Sequence, residues 1–278
     1  MVELNNIKVG DGLPFVLIAV PCVVENEEIT LQTAESIKKI TEELNVPYIF
    51  KASYKKANRT SINSFSGLEF DAAVKILEKV KRELSLPILT DVHTEKEIEN
   101  VSATADVLQI PAFLCRQTEL LLAAGKTGKV INVKKGQFLA PEDMKHVAEK
   151  IASTNNTKIM LTERGTTFGY HNLVVDMRGL EIMKQFGYPV IMDATHSVQI
   201  PSQGGISGGE SKYIPLLARA ATAVGIDGLF LEVHPDPPKA LSDSASQLPL
   251  DKLRGLLITL KHIDEIIKNE KRTSPKTI

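Results

Sequence analysis

Residues 46–61 read VPYIFKASYKKANRTS, a short apolar run that ends in a cluster of cations and small polar residues. Lys51, Lys55, Lys56 and Arg59 lie within nine positions, in an order that makes a poor helix face but a good set of anion ligands. A solvated basic loop would have the same composition. However, nearly every other apolar run of the chain also ends in a charged or reactive residue. An apolar strand followed by a polar loop is therefore the repeating unit that predicts the fold.

Eight short apolar runs have the composition of buried parallel strands. They are residues 15–20, 46–50, 87–90, 107–110, 130–133, 158–161, 189–192 and 228–231. Segments with helical spacing alternate with them, at about 30–44, 68–84, 94–104, 116–126, 141–152, 172–186, 212–224 and 249–269. Eight such units favour a closed barrel over an open doubly wound sheet, and no Gly-rich dinucleotide fingerprint follows the first strand. The sequence predicts an α/β fold, a (β/α)8 TIM barrel.

A short segment precedes the barrel. Residues 1–12 are predicted to form a short N-terminal hairpin cap, with Gly10-Asp11-Gly12 as its turn. The chain has 278 residues, of which 43% are hydrophobic and 24% charged, and contains no linker or low-complexity tract. We therefore expect residues 1–278 to form a single catalytic domain.

Composition also narrows the class of partner. The net charge is -1, which argues against nucleic acid as a ligand and directs the local cations towards a small anion. No apolar run reaches the roughly 18 residues that span a bilayer, and Asp11 and Pro21 disfavour reading residues 15–24 as a signal core. The only two cysteines, Cys22 and Cys115, exclude a disulfide framework and suit a reducing compartment. We expect a cytoplasmic protein with small-molecule partners and no contact with nucleic acid or membrane.

Polar side chains cluster where the predicted strands end, the position at which barrels of this kind carry their chemistry. In strand order they are Cys22; Lys51, Ser53, Lys56, Asn58 and Arg59; Asp91 and His93; Gln109 and Ala112; Lys134; Glu163 and Arg164; His196; and Glu232, His234 and Asp243. Five converging cations, Lys51, Lys56, Arg59, Lys134 and Arg164, would repel one another without a counter-ion. They suit two phosphates, or a phosphate and a carboxylate. One or two of them are expected to pair instead with Asp91, Glu163 or Asp193.

Longer motifs carry a resemblance over almost the whole chain. They are FKASYKKANRTS (50–61), LTDVH (89–93), LQIPAFLCRQT (108–118), INVKKGQFLAP (131–141), TERGTTFGYHNLVVDM (162–177), DATHSVQ (193–199) and FLEVHPDPPKALSDSASQLPL (230–250). The chain resembles the 3-deoxy-D-manno-octulosonate 8-phosphate synthases of lipopolysaccharide biosynthesis. This resemblance implies a homotetrameric transferase that condenses phosphoenolpyruvate with arabinose 5-phosphate and releases phosphate. The related heptulosonate synthases, which use erythrose 4-phosphate, typically have a Lys-Pro-Arg-Thr pattern where this chain has KANRTS.

The resemblance implies roles for individual residues. Lys51, Lys56, Lys134 and Arg164 would bind phosphoenolpyruvate in a pocket that Ser53, Gln109 and Ala112 also line. Asn58, Arg59 and Thr60 would bind the pentose phosphate, with Asp91 near its reacting end. Lys56, Asp91, His196 and Cys22 are the candidate catalytic residues. One class of the family has asparagine near the end of the first strand and needs no metal, whereas the other has cysteine there and binds a divalent ion. Cys22 is similar to the second class, although Val20 replaces the glycine usual in that motif.

A metal site is predicted from Cys22, His196, Glu232 and Asp243. They follow the first, seventh and eighth strands, and barrel closure makes the eighth strand a neighbour of both others. A thiolate, an imidazole and two carboxylates suit Fe, Zn, Mn or Co better than magnesium or calcium. For Cys22 taken alone, the alternative is a buried, inert thiol. His93 and His234 could compete with His196 as ligands, but the family pattern points to His196.

Two other classes of protein remain alternatives. A non-catalytic phosphosugar sensor would also need a cationic rim but would not need the metal ligands, and a metal-dependent aldolase could use the same barrel. The segment SQGGISGGE (202–210) is predicted to be a lid that orders on substrate binding, and the alternative is an ordinary surface loop.

Overall fold

The computed structural model describes residues 1–59, 61–203 and 206–273. The side chains of Val20, of residues 201–203 and 206–207 and of residues 271–273 are also outside the description. Thr60, predicted as a ligand of the pentose phosphate, lies outside the described residues. So does the side chain of Val20, the residue that replaces the glycine usual in the family motif.

Eight parallel strands form the centre of the molecule. In chain order they are Val16–Val20, Tyr48–Lys51, Ile88–Asp91, Val107–Ile110, Val130–Lys134, Ile159–Glu163, Val190–Asp193 and Gly228–His234. Each pairs in parallel with the next, and the eighth pairs both with the seventh, at Ile191↔Gly228, and with the first, at Gly228↔Val16. The sheet is therefore closed, and the predicted (β/α)8 barrel is confirmed.

A helix follows each strand along the chain. The helices are Glu27–Leu44, Phe70–Leu84, Glu95–Thr104, Thr118–Lys126, Met144–Ala152, Met177–Lys184, Ile214–Val224 and Leu250–Thr273. The prediction for 172–186 is wrong at its start, because Asn172–Val174 pairs with Thr166–Phe168 as an antiparallel hairpin. Asp176 then caps the sixth helix by accepting a hydrogen bond from the Arg178 amide. None of the helices in the described ranges is long and apolar enough to cross a bilayer.

The predicted N-terminal hairpin is present, and it closes one end of the barrel. Val2–Leu4 pairs with Ile7–Val9, and the inward side chains of both strands pack on barrel-interior residues such as Val16 and Phe230. The hairpin reverses at Asn5, which adopts a positive φ of 52°, and not at residues 10–12. Asn tolerates this left-handed conformation, so it serves the turn as glycine would. Residues 10–12 form a separate turn after the hairpin, in which the Leu13 amide donates to the Gly10 carbonyl at 3.1 Å.

Packing between the last two strands requires one glycine. A Cβ atom at Gly228 would overlap Cδ1 of Ile191 and lie 3.2 Å from Cγ2 of Val16. Any side chain there would clash inside a closed core. Gly228 thus allows the eighth strand, which carries Glu232, to seat between its two neighbours.

Candidate active site

The predicted site residues converge at the carboxyl end of the barrel, around a cavity of about 360 Å³. Eleven of them line it: Lys51, Lys56, Asn58, Arg59, Asp91, Gln109, Ala112, Lys134, Arg164, His196 and Asp243. Ser53, Cys22 and Glu232 lie behind this lining, each in contact with one of its members. Residues from the second to the eighth strand thus reach one cavity, which is the position of the active site in barrels of this kind.

The cavity carries excess positive charge. Among its described lining residues, six are cations, because Lys55 joins the five predicted ones, and two are carboxylates, Asp91 and Asp243. Arg164 donates from Nη2 to Gln199 at 3.2 Å, while its buried Nη1 has no hydrogen-bond partner in the described part of the chain. A buried guanidinium nitrogen without an acceptor is costly, and an anionic ligand would satisfy it.

Asp91 is held as a carboxylate by several donors. Lys51 lies 3.2 Å from its Oδ2, Ser53 donates to the same oxygen at 2.5 Å, and Gln109 donates to Oδ1 at 2.7 Å. Burial opposes ionisation, but the charges of Lys51 and Lys56 and the Ser53 hydrogen bond hold the pKa of Asp91 well below its usual range. Asp91 therefore accepts hydrogen bonds across the whole physiological pH range.

A second buried ion pair lies on the opposite side of the barrel. Lys134 Nζ is 2.5 Å from Oδ2 of Asp193 and 3.7 Å from the ring centroid of Phe230. Burial lowers the pKa of Lys134, and Lys51 contributes in the same direction against the attraction of Asp193. The pairing of Lys51 with Asp91 and of Lys134 with Asp193 confirms that one or two of the predicted cations have carboxylate partners on the rim. Glu163 forms an ion pair with Lys135 at 3.4 Å, and Lys135 was not among the predicted cations.

Three of the four predicted metal ligands form one cluster. Atoms of Cys22, Glu232 and Asp243 lie within 4.8 Å of one another, and Cys22 Sγ is 3.0 Å from Asp243 Oδ2. Backbone pairing between the first and second strands continues past Cys22, whose carbonyl accepts from the Ser53 amide at 3.4 Å. The loop after the eighth strand returns so that Leu248 pairs with Val233, which brings Asp243 over the cluster.

The cluster has the properties of a cation site. Glu232 is fully buried, yet neither of its carboxylate oxygens has a hydrogen-bond partner among the described residues. Lys56 offers it only an ion pair at 3.7 Å. Burial, reinforced by Asp243 and Glu232, raises the pKa of the Cys22 thiol well above its usual value. A divalent cation would satisfy the orphaned carboxylate and favour the thiolate, so these residues fit a metal ion.

His196 lies beside this cluster rather than within the group of three. Its Nδ1 is 2.7 Å from Asp193 Oδ2, and its Nε2 is 3.4 Å from Glu232 Oε1. With Nδ1–H donating to Asp193, Nε2 and the Glu232 oxygen are both acceptors, and a cation between them would relieve their repulsion. The two competing histidines have other partners. His93 lines the cavity, but its Nδ1 is 3.4 Å from the Tyr54 hydroxyl. His234 Nδ1 accepts from the Asp236 amide at 3.0 Å.

Ser242 is a contact of the cluster that the sequence analysis missed. Its hydroxyl oxygen lies 3.2 Å from Cys22 Sγ and accepts from Arg59 Nη1 at 2.9 Å. Arg59 also approaches Asp243 at 3.7 Å, so the predicted pentose-phosphate ligand stands directly beside the metal candidates. Asp243 has a positive φ of 51°, which is uncommon outside glycine and occurs at functional sites. Ser242 could have been predicted from the sequence only because it directly precedes Asp243.

Comparison with known proteins is consistent with this geometry. Residues 1–269 match the model of the DAHP synthetase I family. A protein of Geobacter metallireducens named 2-dehydro-3-deoxyphosphooctonate aldolase is 54% identical over 96% of this chain and 98% of its own length. Proteins with the same name from Desulfatibacillum aliphaticivorans and Francisella tularensis subsp. holarctica are 57% and 50% identical, over 91% and 98% of this chain and 93% and 99% of theirs. The chain belongs to the DAHP synthetase I family, in the group of the 2-dehydro-3-deoxyphosphooctonate aldolases.

Proposed function

We propose that this enzyme condenses phosphoenolpyruvate, arabinose 5-phosphate and water into 3-deoxy-D-manno-octulosonate 8-phosphate and inorganic phosphate, in lipopolysaccharide biosynthesis. The observation that carries the proposal is the strongly cationic cavity at the carboxyl end of the barrel, directly above the cluster of Cys22, Glu232 and Asp243. Two phosphorylated substrates need such a cavity, and a condensation between them needs both held side by side. The names of the relatives favour this reaction over the heptulosonate synthase, the metal-dependent aldolase and the phosphosugar sensor.

The substrate contacts follow from the charges of the cavity. Phosphoenolpyruvate binds to Lys51, Lys56, Lys134 and Arg164, in the pocket of Gln109, Ala112 and the buried Ser53. The pentose phosphate binds to Asn58, Arg59 and Thr60. Among the described residues, Nη1 of Arg164 and Nε of Arg59 have no hydrogen-bond partner, and this supports these assignments because each offers a donor without an acceptor. Asp91 lies near the aldehyde and orients it.

The reaction forms a carbon–carbon bond and a carbon–oxygen bond to water, and it breaks the carbon–oxygen bond to phosphate. C3 of the enol attacks the aldehyde carbon, water adds at C2, and the tetrahedral intermediate expels phosphate. Burial lowers the pKa of Lys56, but Cys22, Glu232 and Asp243 outweigh it and raise that pKa above its usual value. Lys56 therefore stays an ammonium and can donate a hydrogen bond to the developing alkoxide. The other cations hold the departing phosphate.

The proposed cofactor is one divalent ion, Fe, Zn, Mn or Co, held by Cys22, His196, Glu232 and Asp243. When bound, such an ion can orient the aldehyde or the attacking water and act as a Lewis acid. The carboxylate of Glu232 supports this site most directly, because it is fully buried and accepts no hydrogen bond from the part of the chain that the structure describes. Asp193 orients His196 through Nδ1, so that Nε2 is available as the ligand atom.

The assembly and location are also proposals. We propose a single domain over residues 1–278, a homotetramer and a cytoplasmic location. Phe138, Phe168 and Val174 are each at least half exposed and line one groove, which supports a contact between subunits. The two cysteines are both unpaired, which suits a reducing compartment. Light scattering measures the mass, and a monomer would contradict the tetramer.

Release of free phosphate tests the proposed activity. The metal-loaded protein is mixed with phosphoenolpyruvate and, in separate reactions, arabinose 5-phosphate, erythrose 4-phosphate or no sugar. We expect phosphate only with arabinose 5-phosphate. Preference for erythrose 4-phosphate would indicate a heptulosonate synthase, and no phosphate with any sugar would indicate a sensor. An aldolase would cleave or form its product without phosphoenolpyruvate.

A further inference from the structure

A chain of buried amide and hydroxyl groups crosses four strands of the barrel and ends at Asp91. Thr162 Oγ1 lies 2.7 Å from Asn132 Oδ1, Asn132 Nδ2 is 2.9 Å from Gln109 Oε1, and Gln109 Nε2 is 2.7 Å from Asp91 Oδ1. Asn132 and Thr162 are fully buried and Gln109 is 1% exposed. Gln109 and Asp91 line the cavity, whereas its described lining does not include Asn132.

The charge on Asp91 fixes the direction of every link in this chain. An ionised carboxylate only accepts hydrogen bonds, so the amide nitrogen of Gln109 must face it. Oε1 of Gln109 then faces Asn132, which must present its own amide nitrogen. Oδ1 of Asn132 in turn faces Thr162, whose hydroxyl must donate. Each group leaves its neighbour one possible orientation, and all donors point towards Asp91.

We infer that Asn132 is a positioning residue, which sets the amide orientation of Gln109 and through it the place of Asp91 in the cavity. This inference rests on the proposed function, since it assigns the consequence to the binding of phosphoenolpyruvate and to the reacting end of the sugar. Asn132 itself touches neither substrate. Its contribution is that Gln109 meets the ligand already oriented, so that little free energy is lost in ordering it.

Asn132→Asp tests the inference with almost no change of shape. An ionised carboxylate at this position has no donor for Gln109, so Gln109 must turn and leave Asp91. At about pH 8 we expect the KM for phosphoenolpyruvate to rise about tenfold or more, the effect of one unsatisfied buried hydrogen bond. The protonated form of the introduced acid offers one donor and one acceptor, the two functions that the Asn132 amide uses here. The ratio of variant to wild-type kcat/KM should therefore increase as the pH is lowered to about 6, because burial can raise the pKa of a carboxyl group into this range.

Other charged groups at this level of the barrel include Lys51, Asp91, Lys134 and Asp193. The wild type has all of these groups, so their titration affects both enzymes and cancels when the kcat/KM of the variant is divided by that of the wild type. Asn156→Asp is the matched control, because Asn156 is also buried and its amide donates to the carbonyls of Gly125 and Lys129 outside the cavity. It should lower stability without a change in KM or in the pH dependence of the ratio.

A crystal structure of Asn132→Asp determines the geometry independently of the reaction. We expect the 2.7 Å contact between Gln109 and Asp91 to be lost. Retention of this contact, or an unchanged KM with a flat ratio, overturns the inference. Should Asn132→Asp fail to fold, Thr162→Val against Thr162→Ser decides, since only the valine variant removes the terminal donor and should raise KM severalfold. A wild type that releases no phosphate would reject the proposed function and leave the crystallographic test intact.

Discussion

Nδ1 of His196 lies 2.7 Å from Oδ2 of Asp193, and this contact turns the opposite ring nitrogen towards Glu232. The same aspartate accepts hydrogen bonds from the backbone amide of His196 at 2.9 Å and from that of Thr195 at 3.2 Å. His196 and Lys134 hold the pKa of Asp193 well below its usual range in spite of burial. The Asp193 carboxylate is therefore a fixed, permanently charged acceptor, and it holds the imidazole of His196 in place.

Asp193→Asn is expected to weaken metal binding without removing it. Orientation of a ligand histidine by a carboxylate is typically worth about 10- to 100-fold in metal affinity. Competition with a fluorescent chelator measures this affinity. Asp176→Asn is the matched control, because the exposed Asp176 pairs only with Arg178 among the contacts described for it. Equal affinities of wild type and Asp193→Asn would contradict the role of this carboxylate.

Metal removal should abolish activity. Exhaustive chelation is expected to stop phosphate release, and a divalent ion should restore it. Cys22→Ala should lose metal and activity together, whereas Cys115→Ala, which removes the other buried cysteine, should retain both. Elemental analysis of protein purified without chelators measures the metal content. A fully active, metal-free preparation would move the chain to the metal-independent class in spite of Cys22.

Arg59→Ala should weaken the use of arabinose 5-phosphate far more than that of phosphoenolpyruvate. The guanidinium is proposed to contact only the pentose phosphate, and loss of one charge-assisted contact costs roughly 1.5–3 kcal/mol, or one to two decades of affinity. Separate KM values for the two substrates measure the effect. Arg82→Ala, a change at an exposed arginine that pairs with Glu83 outside the cavity, is the control. Similar losses for both substrates would disprove the assignment.

Stability should fall in acid because Asp91 is ionised in the folded protein. Its folded-state pKa is depressed, so its contribution is complete above the unfolded pKa of about 4 and is lost as the pH falls towards the folded value. Below about pH 4, the free energy of unfolding of chelator-treated wild type should decrease with a slope larger by up to about 1.4 kcal/mol per pH unit than that of Asp91→Asn. Urea unfolding at a series of pH values measures both slopes. Parallel slopes would exclude this contribution.

The lid predicted at 202–210 contains part of a hairpin in the structure. Gln199–Gln203 pairs with Ile206–Gly209, and Gln199 lines the cavity. Residues 204 and 205 lie outside the described residues. We expect limited proteolysis to cut this segment in the free enzyme and to slow on addition of phosphoenolpyruvate and arabinose 5-phosphate. Cleavage at the same rate with and without substrates would favour an ordinary surface loop.

The sequence alone determined the barrel and the end at which its polar residues gather. Runs of buried apolar residues specify strands locally, helical spacing specifies the segments between them, and eight repeats of this unit close on themselves. The segment at 172–186 was mispredicted at its start because it pairs with residues 166–168, and such pairing leaves little trace in local periodicity.

Only the tertiary structure decided which polar groups pair and which remain without a partner. In the sequence, Asn132 and Thr162 look like ordinary members of apolar strands. Thr162 donates to Asn132 and Asn132 donates to Gln109 only because three strands align in register. The carboxylate oxygens of Glu232 accept no hydrogen bond from residues in the described ranges, and this likewise depends on how Lys56 and Asp243 approach across the closed barrel. Local sequence specifies each strand and its charges, whereas the distances that set their chemistry arise from closure of the barrel.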